Sequence, residues 1–506
     1  MVVTLLLSIT IVLLLLSLYI RKATKWENPP PGPDIHPFFG SLPTIAALDP
    51  VFYRAWHSLI ERFGPLVRLV MGLQNIVIIG GYQEMQEALN LEVLDDRGCM
   101  PTVNLIFFGS NTSEEISMFM GGNKPKNRKQ HPVEKWRELR RFTLKSLRDL
   151  GFGKTASEEA IINESMTLIK NITTVVDGTL GDVDLEKMFN IASLNIIWNL
   201  VAGKQFEYDD PEMKRLLQLS QDFILLGKDV VGKPFCFLPF LRFIPPFKHK
   251  FAYLSQSMSN FKDLISSEIK EHESTFDDND HRDLIDMFLS KIKDDELGIY
   301  TEAQLVYTCI DLFIAGSETT SKSLQYAIAI MVRYQDVQEK IHQELDKLDV
   351  ACVTMKDKPK LPYVEATLNE IWRFCNVAPF APARVAPTET ILGSITIPAG
   401  TLVMNNAYSL HMNKAHWGDP EIFRPERFID ENNCFRQDDW NIPFGIGRRK
   451  CLGETMARKE TFLFFANVLK KFKFVQVGYS PPSLEPDVGF TCGPYPFTTR
   501  ILFRNG

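Results

Sequence analysis

The stretch that decides the fold is Pro443-Phe444-Gly445-Ile446-Gly447-Arg448-Arg449-Lys450-Cys451-Leu452-Gly453. A lone cysteine is ordinarily a small buried hydrophobe. Here its setting is different. Two glycines permit tight turns and a close approach of backbone to something flat. Three consecutive cations precede the sulfur, and a helix is predicted from Glu454 onward. Both favour a thiolate over a thiol, so Cys451 reads as an anionic metal ligand.

Outward from the loop, three further patterns carry chemistry. Ala315-Gly316-Ser317-Glu318-Thr319-Thr320 falls midway along a helix that the capping box Thr301-Glu302-Ala303-Gln304 opens and that runs to about Tyr334. A helix-interior glycine costs about 1 kcal/mol, and a mid-helix threonine ordinarily bonds back to a carbonyl. Together the small residues predict a groove where the helix bulges. Glu370-Ile371-Trp372-Arg373 places an acid and a base three apart on one helix face, a spacing that is most often only a solvated ion pair. Trp136-Arg137-Glu138-Leu139-Arg140 places an indole and a guanidinium four apart, also on one face, and arginine suits carboxylates.

Phe444, Gly447, Arg449, Cys451 and Gly453 fill F-x-x-G-x-R-x-C-x-G, a match expected by chance with a probability on the order of 10⁻⁴. This resembles the haem-binding loop of the cytochrome P-450 family, and the other motifs occur in that family's order. The resemblance covers nearly everything from Pro29 to the C-terminus and is nearest to the animal microsomal branch that metabolises drugs, steroids and terpenoids. It implies a cytochrome P-450 fold, mainly α with small β-sheets, and haem b held by Cys451 as axial thiolate. Such a thiolate pushes electron density that favours O–O cleavage. It implies that Trp136, Arg140, Arg97, Arg384 and Arg449 meet the haem propionates; Ala383 stands where microsomal members often have histidine. Phe444 and Gly447 shape the loop. Oxygen would lie over Ala315 and Gly316, with Thr319 holding water or hydroperoxide and Glu318 joining a proton path. Glu370 and Arg373, closed by Arg427 of Phe423-Arg424-Pro425-Glu426-Arg427-Phe428, would be structural. The implied activity is a monooxygenase using O₂ and electrons from NADPH through a reductase, with cytochrome b5 as a second candidate donor. The intact Glu318 and Thr319 disfavour a haem-thiolate isomerase. A haem sensor would need neither a proton path nor a docking face. The basic residues Arg137, Arg141, Lys145 and Arg148, with Arg448, Lys450, Arg458 and Lys459, are predicted to form that face.

Composition bounds the rest. The 506 residues are 45 % hydrophobic and 23 % charged, which excludes a disordered chain or a disulfide miniprotein. The net charge of −6 argues against a general nucleic-acid binder. Eight scattered cysteines contain no C-x-x-C pair, so neither a zinc ribbon nor a disulfide framework is indicated. Residues 1–20 contain the uncharged run Val2–Ile20, long enough for a transmembrane signal anchor. Residues 21–33 form a basic stop (Arg21, Lys22, Lys25) and a proline-rich hinge, and residues 34–506 the catalytic domain. That topology predicts a single-pass protein of the endoplasmic reticulum membrane with its body in the cytosol. The apolar loop Phe235–Phe247 is predicted to dip into the bilayer. A basic loop at residues 121–130 is longer than the family's usual. By the same family resemblance, the substrate pocket draws on Ile314, Ala315, Val377, Ala378, Phe380 and Phe490. It is apolar, so the substrate is expected to be a lipophilic small molecule.

Overall fold

The computed structural model describes residues 24–98, 101–110, 114–122, 132–153, 155–179, 182–230 and 238–504. The predicted anchor at residues 1–20 lies outside them, as do most of the basic loop at 121–130 and the first part of the 235–247 loop. Among the described residues no helix is long and apolar enough to cross a membrane.

The body is mainly helical with small sheets. Strands β1 (Leu66–Met71) and β2 (Gln74–Ile79) pair as an antiparallel hairpin, as their alternation predicts. Helix α1 spans Pro132–Asp149, α2 Thr155–Thr179 and α3 Glu186–Ala202. The long helix α4 runs Glu302–Arg333, and α5 runs Pro362–Cys375. Strands β3 (Arg384–Val385) and β4 (Leu402–Asn405) complete the first sheet in the order β1-β2-β4-β3. Helix α6 (Glu454–Lys471) follows the cysteine loop, and β5 (Pro486–Val488) and β6 (Cys492–Pro494) form a late hairpin.

Helix α4 is the axis of the core. It packs along α3 and touches α5, α6 and the β5–β6 hairpin. Burial all round explains why its sequence is apolar on most faces. The Thr301 hydroxyl accepts from Gln304 N at 3.0 Å, as a capping box requires. The reciprocal half is absent. Gln304 turns away to bond both backbone groups of Ile116, accepting from its N at 3.0 Å and donating to its O at 2.7 Å. A buried backbone pair outbids an exposed cap.

One expectation changes here. Helix α4 is uninterrupted α-helix from 302 to 333, without the expected bulge at Gly316. Gly316 instead lets α4 pack closely on α3, where a Cβ would lie 3.0 Å from Ile197, and Ala315 is the small residue left exposed beside it. The 238–247 segment is also more open than a core loop. Phe240, Phe243 and Ile244 are exposed, at 54 %, 68 % and 46 %, with Leu241 and Phe247 turned to the core. Its prolines remove the backbone donors that a buried helix would need.

Candidate active site

The cysteine loop folds on itself before any side chain acts. Gly445 N donates to Ile442 O at 2.9 Å, Lys450 N to Gly447 O at 3.1 Å, and Cys451 N to Phe444 O at 2.9 Å. Gly447 has φ +74°, and a Cβ there would lie 2.3 Å from Leu89 O. No other residue type can bring this turn so close to that backbone. The Phe444 ring packs edge-on against Trp372 of α5, with the Arg458 guanidinium 4.7 Å from its centroid.

The three cations before Cys451 do not face its sulfur, contrary to the sequence expectation. Arg448 reaches Asp95 at 2.6 Å, Lys450 reaches Glu454 at 2.6 Å, and Arg449 stacks over Trp136, 3.4 Å from the ring centroid. Burial therefore pushes the Cys451 thiol up. The amides of Gly453 and Glu454 and the charge of Arg140 oppose this only in part, and Glu454 adds to it. Protein alone does not ionise the sulfur; coordination to a metal does. Cys451 is nonetheless exposed, although dense protein surrounds the loop. Its accessible surface faces an internal space. Ala378 is likewise exposed between buried neighbours, and Ala315 of α4 is exposed between half-buried ones.

Four arginines converge beside this space. Arg140 donates to Lys450 O at 2.6 Å. Arg449 donates to Asp95 O at 2.6 and 2.9 Å and to Met118 O at 3.2 Å. Arg384 donates to the carbonyls of Leu89 and Leu94, each at 3.2 Å, and Arg97 donates to Pro382 O. Arg97 and Arg384 are neighbours across an antiparallel bridge. Burial, and then the other arginines, lower Arg449 to about 7 and Arg97 to about 9. Burial first, with Asp95 opposing and Arg448 adding to it, lowers Arg384 to about 10. The Arg97 Nε is buried with no hydrogen-bond partner. Packed cations with an orphaned N–H demand anions. Haem b carries two propionates and an iron that takes a thiolate. The residues present therefore fit it: Cys451 for the iron, and Arg97, Arg140, Arg384, Arg449 and Trp136 for the carboxylates.

On the opposite side, Thr319 donates to Ala315 O at 2.8 Å, the ordinary helical back-bond. Its lone pairs stay free to accept. Glu318 is 3 % exposed, and burial raises its pKa. Its ion-pair partner is Lys322, 3.9 Å away. Phe380, expected in the pocket, instead packs on Phe52 and Trp56, with centroids 5.0 and 6.1 Å away. That aromatic trio belongs to the core behind the pocket wall.

Behind the cysteine loop, Glu370 and Arg373 are both fully buried, not a solvated pair. Arg373 donates to the two Glu370 oxygens at 2.6 and 2.8 Å, and Arg427 donates to Oε1 at 3.3 Å. Arg373 also bonds the carbonyls of His411 and Pro420, and Arg427 those of Trp417 and Ile422.

Sequence reasoning passed over His411, Asp95 and Asp311. His411 is buried, and burial holds its pKa down to about 3, so it is neutral. Its Nε2 accepts from Ile442 N at 3.1 Å, which ties the Glu–Arg–Arg cluster to the start of the cysteine loop. Asp95 accepts from Arg137 and Arg448. Asp311 of α4 accepts from Ser117 Oγ at 2.6 Å and Met118 N at 2.5 Å, and the Met118 carbonyl accepts from Arg449. None of the three lies in a motif with local spacing. Only a signal linking positions hundreds of residues apart would have found them.

The predicted docking stripe is partly neutralised. Arg137 is held by Glu92 and Asp95, Arg448 by Asp95, Arg458 by Glu454, and Lys459 is buried. Arg141, Lys145 and Arg148 remain exposed.

Comparison with known proteins agrees with this geometry. The family model described as Cytochrome P450 matches residues 30–501. "Farnesoate epoxidase" of Bombyx mori is 32 % identical over 482 residues, 94 % of this chain and 93 % of the relative. "Cytochrome P450 2E1" of Mus musculus is 31 % identical over 504 residues, and "Cytochrome P450 2A6" of Homo sapiens 30 % identical over 507. Each of these alignments spans 97 % of both chains.

Proposed function

Because the chain belongs to the cytochrome P450 family, monooxygenases that use haem, O₂ and electrons from NADPH by way of a reductase, we propose that it hydroxylates or epoxidises a lipophilic small molecule at the face of α4 opposite Cys451. The observation that carries this reading is an accessible cysteine sulfur inside the protein, flanked by two buried arginines, Arg97 and Arg384, and two half-buried ones, Arg140 and Arg449.

Haem, when bound, supplies the activation of O₂, one oxygen atom entering the substrate and the other leaving as water. The chain's own residues do the rest. Cys451 would hold the haem iron through its sulfur. Arg97, Arg140, Arg384, Arg449 and Trp136 neutralise the propionates, while Phe444 and Gly447 set the height of the loop. Glu370, Arg373 and Arg427 fix the wall behind it. Thr319 accepts and passes on protons at its Oγ1, and Glu318 supplies them from its buried carboxyl. Ala315 and Gly316 leave room for oxygen, and the apolar lining excludes water.

The catalytic body is assigned to residues 34–506. Residues 1–20 are its single-pass anchor in the endoplasmic reticulum membrane, with 21–33 as stop and hinge, and the exposed Phe240, Phe243 and Ile244 dip into the same bilayer. Deletion of residues 1–28 would then leave a folded protein with residual, detergent-sensitive membrane binding. The farnesoate named for one relative makes a sesquiterpenoid ester or acid the first class to screen, ahead of steroids, fatty acids and xenobiotics.

The decisive experiment is Cys451→His with a ferrous–carbonyl spectrum. Loss of the red-shifted thiolate band, with haem retained, supports the reading; survival of that band would overturn it.

A further inference from the structure

The helix Phe247–Ser274 lies against α4, with the Phe261 and Phe313 centroids 5.2 Å apart, and the short helix Pro101–Phe108 packs on it. Where the three meet, the Tyr307 ring of α4 packs against Phe107 and Phe108, with centroids 5.5 and 5.1 Å away. Lys262 lies over the same ring, its Nζ 4.9 Å from the centroid. This lysine is half-buried, and among the described residues its ammonium has neither a hydrogen bond nor an ion pair. Tyr307 is 7 % exposed, and its hydroxyl also has no partner among them. Burial lowers Lys262 to about 8, with Glu115 and Asp263 opposing, although neither acid forms an ion pair with it. Burial first, then Glu115, raises the Tyr307 phenol, so its hydroxyl stays a donor.

We propose that Lys262 and Tyr307 form a seat for the carboxylate of a lipophilic acid, and that such an acid is preferred over its neutral ester. The seat presupposes the monooxygenase reading above and adds the group that the cleft recognises. The aromatic face takes one side of the ammonium and leaves its N–H groups for a ligand. A cation short of both water and partners gains most from an anion, and the phenol supplies a second donor to the same carboxylate. Phe107 and Phe108 offer apolar surface to the carbon chain that follows.

The position of the seat sets the length of the acid. Tyr307 and Ala315 are separated along α4 by about 12 Å at 1.5 Å per residue. With carbon–carbon bonds near 1.5 Å, that is roughly the span of a ten-carbon chain. An acid of that length holds its carboxylate at Lys262 and brings a distal carbon level with Ala315, across from Cys451. Both helices that frame the seat also touch the turn Pro239–Phe243, where Phe240 and Phe243 are exposed. The seat therefore stands between that apolar surface and the cleft.

Equilibrium dialysis of the holoprotein at pH 7 against dodecanoic acid and methyl dodecanoate tests this. The acid should bind about 10-fold tighter than the ester, the scale of one charge-assisted hydrogen bond, although the ester is the more hydrophobic. Lys262→Met, which keeps the stem, should weaken the acid about 10-fold and leave the ester within about two-fold, so the preference disappears. Lys262→Arg keeps the charge and should keep most of the preference, and Tyr307→Phe should weaken the acid alone by several-fold. The melting temperature and the ferrous–carbonyl spectrum should hold in each variant, which separates lost recognition from lost folding. A lysine that only lays its stem on the ring, with its head in water, would give equal affinities for acid and ester. That result, no binding of the acid, or an acid preference that survives Lys262→Met would overturn the seat. The monooxygenase reading fails by a different observation, survival of the thiolate band in Cys451→His.

Discussion

The two walls of the active site are built on opposite plans. Behind Cys451, polar groups are densely paired: Glu370 accepts from Arg373, Arg427 and Arg424 N, while His411 links Arg373 to Ile442. Across the cleft, α4 presents Ala315 and Thr319, with helical back-bonds and a single 3.9 Å ion pair between Glu318 and Lys322. The first wall is rigid because every buried lone pair has a donor, and removing one partner leaves a charge stranded. The second is sparsely bonded, which suits groups whose protons must move. A thiolate ligand requires fixed geometry; a proton carrier requires bonds that exchange.

The contrast breaks first at Glu370. Glu370→Ala should strand Arg373 and Arg427 in the interior and cost about 3–5 kcal/mol, the range for breaking a buried ion pair. The measurement is chemical unfolding of the holoprotein, with little or no folded protein the extreme result. A loss under 1 kcal/mol would put the cluster among ordinary surface pairs.

Thr319→Ala touches only the sparse wall. Stability and haem content should hold, while product formation falls by on the order of 10²-fold and hydrogen peroxide accounts for the missing NADPH. Unchanged coupling would remove Thr319 from proton delivery.

Asp311 joins the two walls and gives the comparison a pH dependence. Burial lifts its carboxyl to about 7 against the opposing bonds from Ser117, Met118 and Phe119. A carboxyl raised on folding binds its proton more tightly in the native state. Its contribution to stability is therefore present below pH 4 and lost as pH rises through about 7. Asp311→Asn should abolish that decline while loosening the Ser117–Met120 turn, on which Arg449 leans. Thermal melts of both proteins from pH 4 to pH 8 test it, and parallel curves would exclude Asp311 as the titrating group.

The smallest effect belongs to the outer surface. Arg137 is tied to Asp95, so reversing its charge would disturb the loop support itself. Reversal at Arg141, Lys145 and Arg148 avoids this. Reductase-driven turnover should slow several-fold at low salt and recover at high salt, since the Debye length falls to about 3 Å at 1 M. Peroxide-driven turnover should not change. Equal loss in both assays would move these residues from docking to structure.

Local spacing made much of this legible. The hairpin at 66–79, the start of α4 and the cysteine loop each follow from neighbours within a few residues, because turns, caps and helix faces are short-range. Glycine at 447 was readable for the same reason.

What the sequence determined by itself is the inventory: a cysteine between glycines, an acid and threonine mid-helix, a Glu–x–x–Arg, and arginines enough for two carboxylates. Tertiary structure alone decided where the charges point. Arg448 and Lys450 turn away from the sulfur they adjoin in sequence, while Arg97, Arg384 and Arg449 meet from segments as much as 352 residues apart. It also laid Lys322, the partner of buried Glu318, against Gly493 of another strand. The reason is physical. Whether an arginine serves a propionate, an aspartate or water depends on which partner is desolvated beside it, and desolvation is a property of packing, not of chain order.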